Sequence, residues 1–255
     1  MKFTVIIPSR YASTRLPAKA LADIGGKPLI AHVVDRANES NASRVIVATD
    51  DQRIADALST SKCEVCLTRE DHISGSDRLA EVVNKLAIDD DEIIVNVQGD
   101  EPAIPARLII EVAESLAQAP QAVMSTAAHK IKTVADFNNP NMVKVVFDQS
   151  GRALYFSRSP IPYSKVASEI GADAWHHIGI YAYRAGFLKR YHALAVSKLE
   201  IAESLEQLRV MDNGESIMVH RIDYHAGVGV DTAEDLVVAR ELLGHWSNKV
   251  DQSKG

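Results

Sequence analysis

The chain opens on Phe3-Thr4-Val5-Ile6-Ile7, an apolar, β-branched run that stops at Pro8, and residues 9–19 after it hold three cations and no anion. That pattern predicts a buried first strand feeding a basic loop. In an open α/β sheet, ligands sit beyond the carboxyl ends of the strands, so Arg10, Arg15 and Lys19 converge where an anion is held. Ser9, Ala12, Ser13 and Ala18 are small enough for backbone N–H groups to approach a phosphate. A solvated surface loop is the plainer reading of the same stretch. The continuation weighs against it, because Gly25-Gly26 predicts a turn and Lys27-Pro28 the opening of an amphipathic helix over 29–37.

From there, strands and helices alternate. Residues 44–48 (RVIVA) read as a second buried strand, 51–58 as a short helix, 64–67 as a strand and 77–86 as a helix. This is the start of a doubly wound sheet, without the GxGxxG of a dinucleotide-binding turn. Arg78 falls in the first turn of its helix, where a cation opposes the dipole unless an anion sits nearby. A solvated Arg78 is the alternative. Residues 92–97 (EIIVNV) form the most apolar strand and deliver Gln98, Gly99 and Asp100 to the same carboxyl edge. Asp100 reads either as a turn former or as a carboxylate for Mg²⁺, which binds one or two carboxylates plus phosphate oxygens.

After a helix over 105–117 the rhythm changes. Short strands at 123–127, 142–148, 153–157 and 178–184 without helices between them suggest an antiparallel or mixed subdomain, with 159–175 as an exposed excursion or lid. His176-His177 precede the last of these strands. A helix over 199–211 places Ile201, Leu205 and Leu208 on one side and leaves Glu206-Gln207 free to meet a polar ligand. Residues 227–236 bend a strand into a helix over 232–243, where Asp231 with Glu234 reads equally as a helix cap or as a metal ligand. Residues from about 246 read as a tail.

A net charge of −6 argues against a nucleic-acid partner, and no stretch is long enough to span a membrane. No signal peptide is expected before Pro8. Cys63 and Cys66, three apart on a strand, face opposite sides and read as packing residues in a reducing cytoplasm.

In register along the chain stand PSRYASTRLPAK, IGGKP, ATDD, SGSDR, VNVQGDEP, NPNMVKVV, ALYFSRSPIP, HIGIYAYR, LEQLR and GVDTAEDL. Together they resemble the 3-deoxy-manno-octulosonate (Kdo) cytidylyltransferase family, from about residue 3 to about residue 240. The resemblance implies a nucleotidyltransferase-type, Rossmann-like α/β fold. Its sheet is mixed and mostly parallel, with helices on both faces and a smaller strand-rich dimerisation subdomain. One domain over 1–245 is implied, with nucleotide binding roughly in 1–120 and 200–245, sugar binding and dimerisation in 121–199, and a flexible tail at 246–255.

By motif position, the implied catalytic set is Lys19, Arg15, Asp100 and Asp231, the two aspartates holding Mg²⁺. Pro8, Ser9, Arg10, Arg15, Lys19, Ser74, Arg78 and Gln98 would bind the nucleotide. Gln98, Arg158, His177, Tyr181, Glu206 and Gln207 would bind the sugar. The implied reaction is transfer of CMP from CTP to the anomeric hydroxyl of Kdo with release of pyrophosphate, for lipopolysaccharide synthesis, by a cytoplasmic homodimer. Two positions depart from the family pattern: Ala18 where Gly is usual, and His176 where Arg is common. The second suggests the 8-amino form of Kdo as an alternative substrate. A hexose-1-phosphate nucleotidyltransferase and a nucleotide-binding regulator are further alternatives, and the regulator leaves Asp100 and Asp231 without a task.

Overall fold

A computed structural model describes residues 1–252 apart from Thr14, Ile73, 166–169 and 171–172, with side chains described as far as Leu243. The elements, in order, are β1 (Phe3–Ser9), β2 (Asp23–Ile24), β3 (Lys27–Pro28), α1 (Leu29–Glu39), β4 (Arg44–Thr49), α2 (Gln52–Ala57) and β5 (Glu64–Leu67). There follow α3 (Gly75–Lys85), β6 (Ile93–Asn96), α4 (Ala106–Ala117), β7 (Met124–Lys130), α5 (Val134–Asn138), β8 (Lys144–Phe147) and β9 (Ala153–Ser157). The last are β10 (Trp175–Arg184), α6 (Ala185–Tyr191), α7 (Lys198–Glu203), α8 (Gln207–Asp212), β11 (Ile217–Ile222) and α9 (Ala233–Gln252).

The main sheet runs β11-β7-β10-β6-β1-β4-β5, and β10 is antiparallel to both of its neighbours while the other pairs on this path are parallel. Helices cover both faces, which is why the central strands are apolar without alternation. Phe3, Val5, Ile7, Val45, Val47, Ile93 and Val95 pack with α1, α4 and α9 on one face. Ile6, Ile46, Ala48 and Ile94 pack with α3 and α6 on the other. The period of two along each strand assigns each side chain to its layer.

The strand-rich segment does not stand apart from this sheet. β7 and β10 lie within it, and the smaller antiparallel addition is β8 with β9, joined through β10. His176 and His177 lie inside β10 rather than before it. β11, which the sequence reading passed over, forms the sheet edge beside β7. No strand leads directly into α9, whose backbone continues to Gln252 through residues read as a tail. The single helix expected over 199–211 is two, α7 and α8, broken where Ser204 turns left-handed at φ 52°. The break exposes Ile201 while Leu205 and Leu208 stay buried. Part of the expected lid, 166–169 and 171–172, lies outside the described residues.

Candidate active site

The carboxyl ends of β1 and β6 meet at one point. Gly99 makes this possible, since a Cβ there would lie 2.7 Å from the backbone oxygen of Pro8. The loop before α9 is tied to the same place by a hydrogen bond of 2.8 Å from the Val230 N–H to the Asp100 carbonyl. Asp100 and Asp231, far apart in sequence, therefore present their carboxylates together.

Lys19 lies between them, its Nζ 2.6 Å from Asp100 Oδ2 and 3.0 Å from Asp231 Oδ1. Burial disfavours the Lys19 charge, but the hydrogen bonds and charges of the two aspartates outweigh it and raise its pKa. Arg15 Nη2 adds a contact of 3.0 Å to Asp231. Two carboxylate oxygens sharing one cation form a donor set of the kind a divalent ion takes when phosphate oxygens complete its shell. The residues present fit such an ion. Glu101 beside them is pushed up to about 7, by burial first and then by the charges of Asp100 and Asp231.

The cap of α9 does not use the Asp231 side chain. Asp235 Oδ2 accepts from the N–H groups of Asp231 and Thr232, and Thr232 Oγ1 accepts from the Asp235 N–H. Thr232 with Asp235 is the reciprocal cap, not Asp231 with Glu234. The Asp231 side chain is left to face the cations.

A cavity of about 340 Å³ opens here, lined by Pro8, Ser9, Arg10, Arg15, Lys19, Ser74, Arg78, Gln98, Asp100 and Asp231 among others. All the expected nucleotide residues border it. Arg78 does so as a buried side chain that already has its anion: Nη2 lies 2.7 Å from Asp50 Oδ2, and Nη1 donates to Thr68 Oγ1 at 2.5 Å. Its charge at the α3 N-terminus is met from within the protein. The loop is steadied by Arg53, which stacks on Tyr11 at 3.4 Å and pairs with Asp51. Ala18 adopts φ 53°, the left-handed conformation that a Cβ disfavours, despite its methyl group.

A second cavity of about 380 Å³ shares Arg10, Ser74, Gly75 and Gln98 with the first. Its other walls include Tyr181, Tyr183, Tyr191, Glu206 and Gln207. Ser76 Oγ donates to Glu206 Oε2 at 3.2 Å, and burial raises the Glu206 carboxyl above its ordinary range. The expected Tyr181, Glu206 and Gln207 thus come together.

Arg158 and His177 do not join them. Arg158 donates to the carbonyls of Glu203 at 2.7 Å and Pro140 at 3.1 Å, so its guanidinium is spent on holding the α7–α8 elbow. His177 is buried with Thr126 3.0 Å away and its ring against those of Phe156 and Tyr181, and it lines a cavity other than the second. His176 is also displaced from the expected place. Its Nδ1 lies 2.9 Å from His129 Nε2, and it lines a different cavity with Trp175 and Tyr224. The β-bulge between Ile178 and Tyr181 separates these residues, and strand alternation alone does not reveal it. Asn96, which the sequence reading did not single out, borders the second cavity.

Residues 4–217 match the family model described as Cytidylyltransferase. The chain belongs to the cytidylyltransferase family. This cytidylyltransferase is 54% identical over 248 residues to the 3-deoxy-manno-octulosonate cytidylyltransferase of Serratia proteamaculans, covering 95% of this chain and 99% of the relative. It is 52% identical to that of Methylibium petroleiphilum over the full length of both. Among solved structures, CMP:2-keto-3-deoxy-manno-octonic acid synthetase complexed with CTP aligns with a TM-score of 0.89 and 43% identity, covering 96% of this chain and 99% of that one. Among the described residues, no helix is long and apolar enough to cross a membrane.

Proposed function

We propose that this cytidylyltransferase transfers CMP from CTP to the anomeric hydroxyl of Kdo, releasing pyrophosphate. The observation that carries the proposal is the pair of adjoining cavities, one walled by cations and two convergent aspartates and the other by hydroxyls, amides and a carboxylate. The first suits a triphosphate and the second a polyhydroxylated acid. Arg10, Ser74, Gly75 and Gln98 stand at the junction, where the two reactants must meet.

In this reading, residues 9–19 cradle the phosphates and Lys19 leaves the aspartates to neutralise charge on the departing pyrophosphate. Asp100 and Asp231 hold a divalent cation, proposed to be Mg²⁺. When bound, Mg²⁺ supplies positive charge to the phosphate oxygens and acidifies an adjacent hydroxyl. Tyr181, Glu206 and Gln207 orient the sugar so that its hydroxyl attacks the α-phosphorus in line, with the fixed geometry supplying much of the rate. Arg158 and His177 support that pocket from behind. CTP as substrate fits a cytoplasmic location, and assembly as a homodimer belongs to the same proposal. Pyrophosphate release from CTP with Kdo tests it, and no release with Kdo or any related sugar acid would sink it.

One observation favours a second reading, the same transfer to 8-amino-Kdo. The Glu206 carboxylate lines the sugar cavity and accepts a hydrogen bond from the hydroxyl of Ser76. An ammonium would complete that site as a charged pair. Comparing kcat/KM for both sugars in wild type and Glu206→Gln separates the readings.

A further inference from the structure

Two buried side-chain atoms in the described residues lack a hydrogen-bond partner, Oδ1 of Asn96 and Nε2 of Gln207. Both residues line the second cavity. Asn96 ends β6 and is 2% exposed, and Gln207 begins α8 and is 4% exposed. Buried polar atoms are almost always paired, because an unpaired one has lost water and gained nothing in return. Two such atoms in the lining of one cavity mark the groups that a ligand satisfies.

Their chemistry is complementary. Asn96 offers an acceptor and Gln207 a donor, and a hydroxyl is a group that donates and accepts at once. Asn96 sits across the ladder from Tyr181, so the amide lies at the same depth as a residue already facing the pocket. Met124 and Val210 line the same cavity and contribute apolar surface.

We infer that Asn96 is a further sugar-recognition residue: its Oδ1 accepts from a hydroxyl on the carbon chain of the sugar, and Gln207 Nε2 donates to the sugar beside it. This rests on the second cavity being the sugar pocket. Asn96 lines the second cavity and not the first, so its removal acts on the sugar and leaves CTP binding alone.

Asn96→Leu keeps the branching of the side chain and removes both of its polar atoms, and a β-strand accommodates leucine. Its kcat/KM for Kdo should fall about 10- to 100-fold, since one sugar hydroxyl is left unpaired. CTP affinity measured by calorimetry without sugar should stay within about twofold, because the substitution leaves the phosphate site untouched. Across a panel of monodeoxy Kdo analogues, one should be poor with wild type and no poorer with Asn96→Leu, the mark of a shared contact. Asn96→Ser carries the same comparison if the leucine variant is insoluble. Undiminished turnover of Kdo by the variant, or penalties that multiply for every analogue, overturns the role of Asn96 while the sugar reading stands. A wild type that releases no pyrophosphate with any sugar acid removes the sugar reading and this inference together.

Discussion

Ala18 carries a left-handed φ of 53° directly before Lys19, at a cost of about 1–2 kcal/mol for a residue with a Cβ. Glycine would remove that strain but lose more entropy on folding, so Ala18→Gly should stabilise the protein by at most about 1 kcal/mol. Thermal unfolding checks this, and a lower Tm would mean that the methyl group packs usefully. The neighbouring aspartates separate two roles in the same way. Thr232→Ala removes the cap of α9 and should cost about 1 kcal/mol with catalysis retained. Asp231→Asn should leave Tm nearly unchanged and abolish most turnover, because that carboxylate faces Lys19 and Arg15 rather than the helix. Substantial turnover by Asp231→Asn would remove it from the catalytic set.

The α7–α8 elbow is held by Arg209, which pairs from α8 with both carboxylate oxygens of Glu200 on α7, and by Arg158. Beyond the carbonyl contacts of its guanidinium, the Arg158 N–H donates to Glu203 Oε2 at 2.9 Å, and Ser157 Oγ donates to the other carboxylate oxygen at 2.6 Å. Arg158→Ala should therefore let Glu206 and Gln207 drift, raising KM for the sugar several-fold and lowering Tm while KM for CTP holds. A rise in KM for CTP alone would contradict this. β10 supplies a pH dependence. Burial, with His129 and Lys144 nearby, lowers His176 to about 4, and burial lowers His177 to about 3. Their unfolded values lie near 6.5, so as pH falls below that the unfolded chain takes up protons that the folded chain refuses. Stability present at neutral pH should decline from about pH 6.5 towards 3, and Tm measured across that range in wild type and His177→Gln should show a shallower slope in the variant. Parallel slopes would assign the acid sensitivity elsewhere. What the sequence makes legible follows the same physics. β1, β4 and β6 are packed on both faces and stand out as unbroken apolar runs, and the basic loop and Asp100 follow from them, whereas Asp231, before α9, is singled out only by the resemblance. β11, at a sheet edge, mixes His220 and Arg221 with apolar residues and loses that signal. The Ser204 break and the β10 bulge depend on tertiary contacts, so local pattern misplaces Ile201, and Arg158 and His177, assigned to the sugar by resemblance, lie outside the second cavity.

Across the whole molecule, the β8–β9 addition exposes Leu154 to 53%, and no helix described here covers it. A second copy of the chain is the proposed cover, and sedimentation at micromolar concentration should give a dimer. A monomer there would leave the addition unexplained. The order of the main sheet has one more consequence. β10 fills the place between β6 and β7, yet it is made some eighty residues after β6. On the ribosome the nascent chain therefore carries Ile93–Asn96 as an open, apolar edge until residue 184 has emerged. Both halves of the catalytic pocket wait longer still, for Gln207 and then Asp231, so a chain released early exposes a template for mispairing without any chance of turnover.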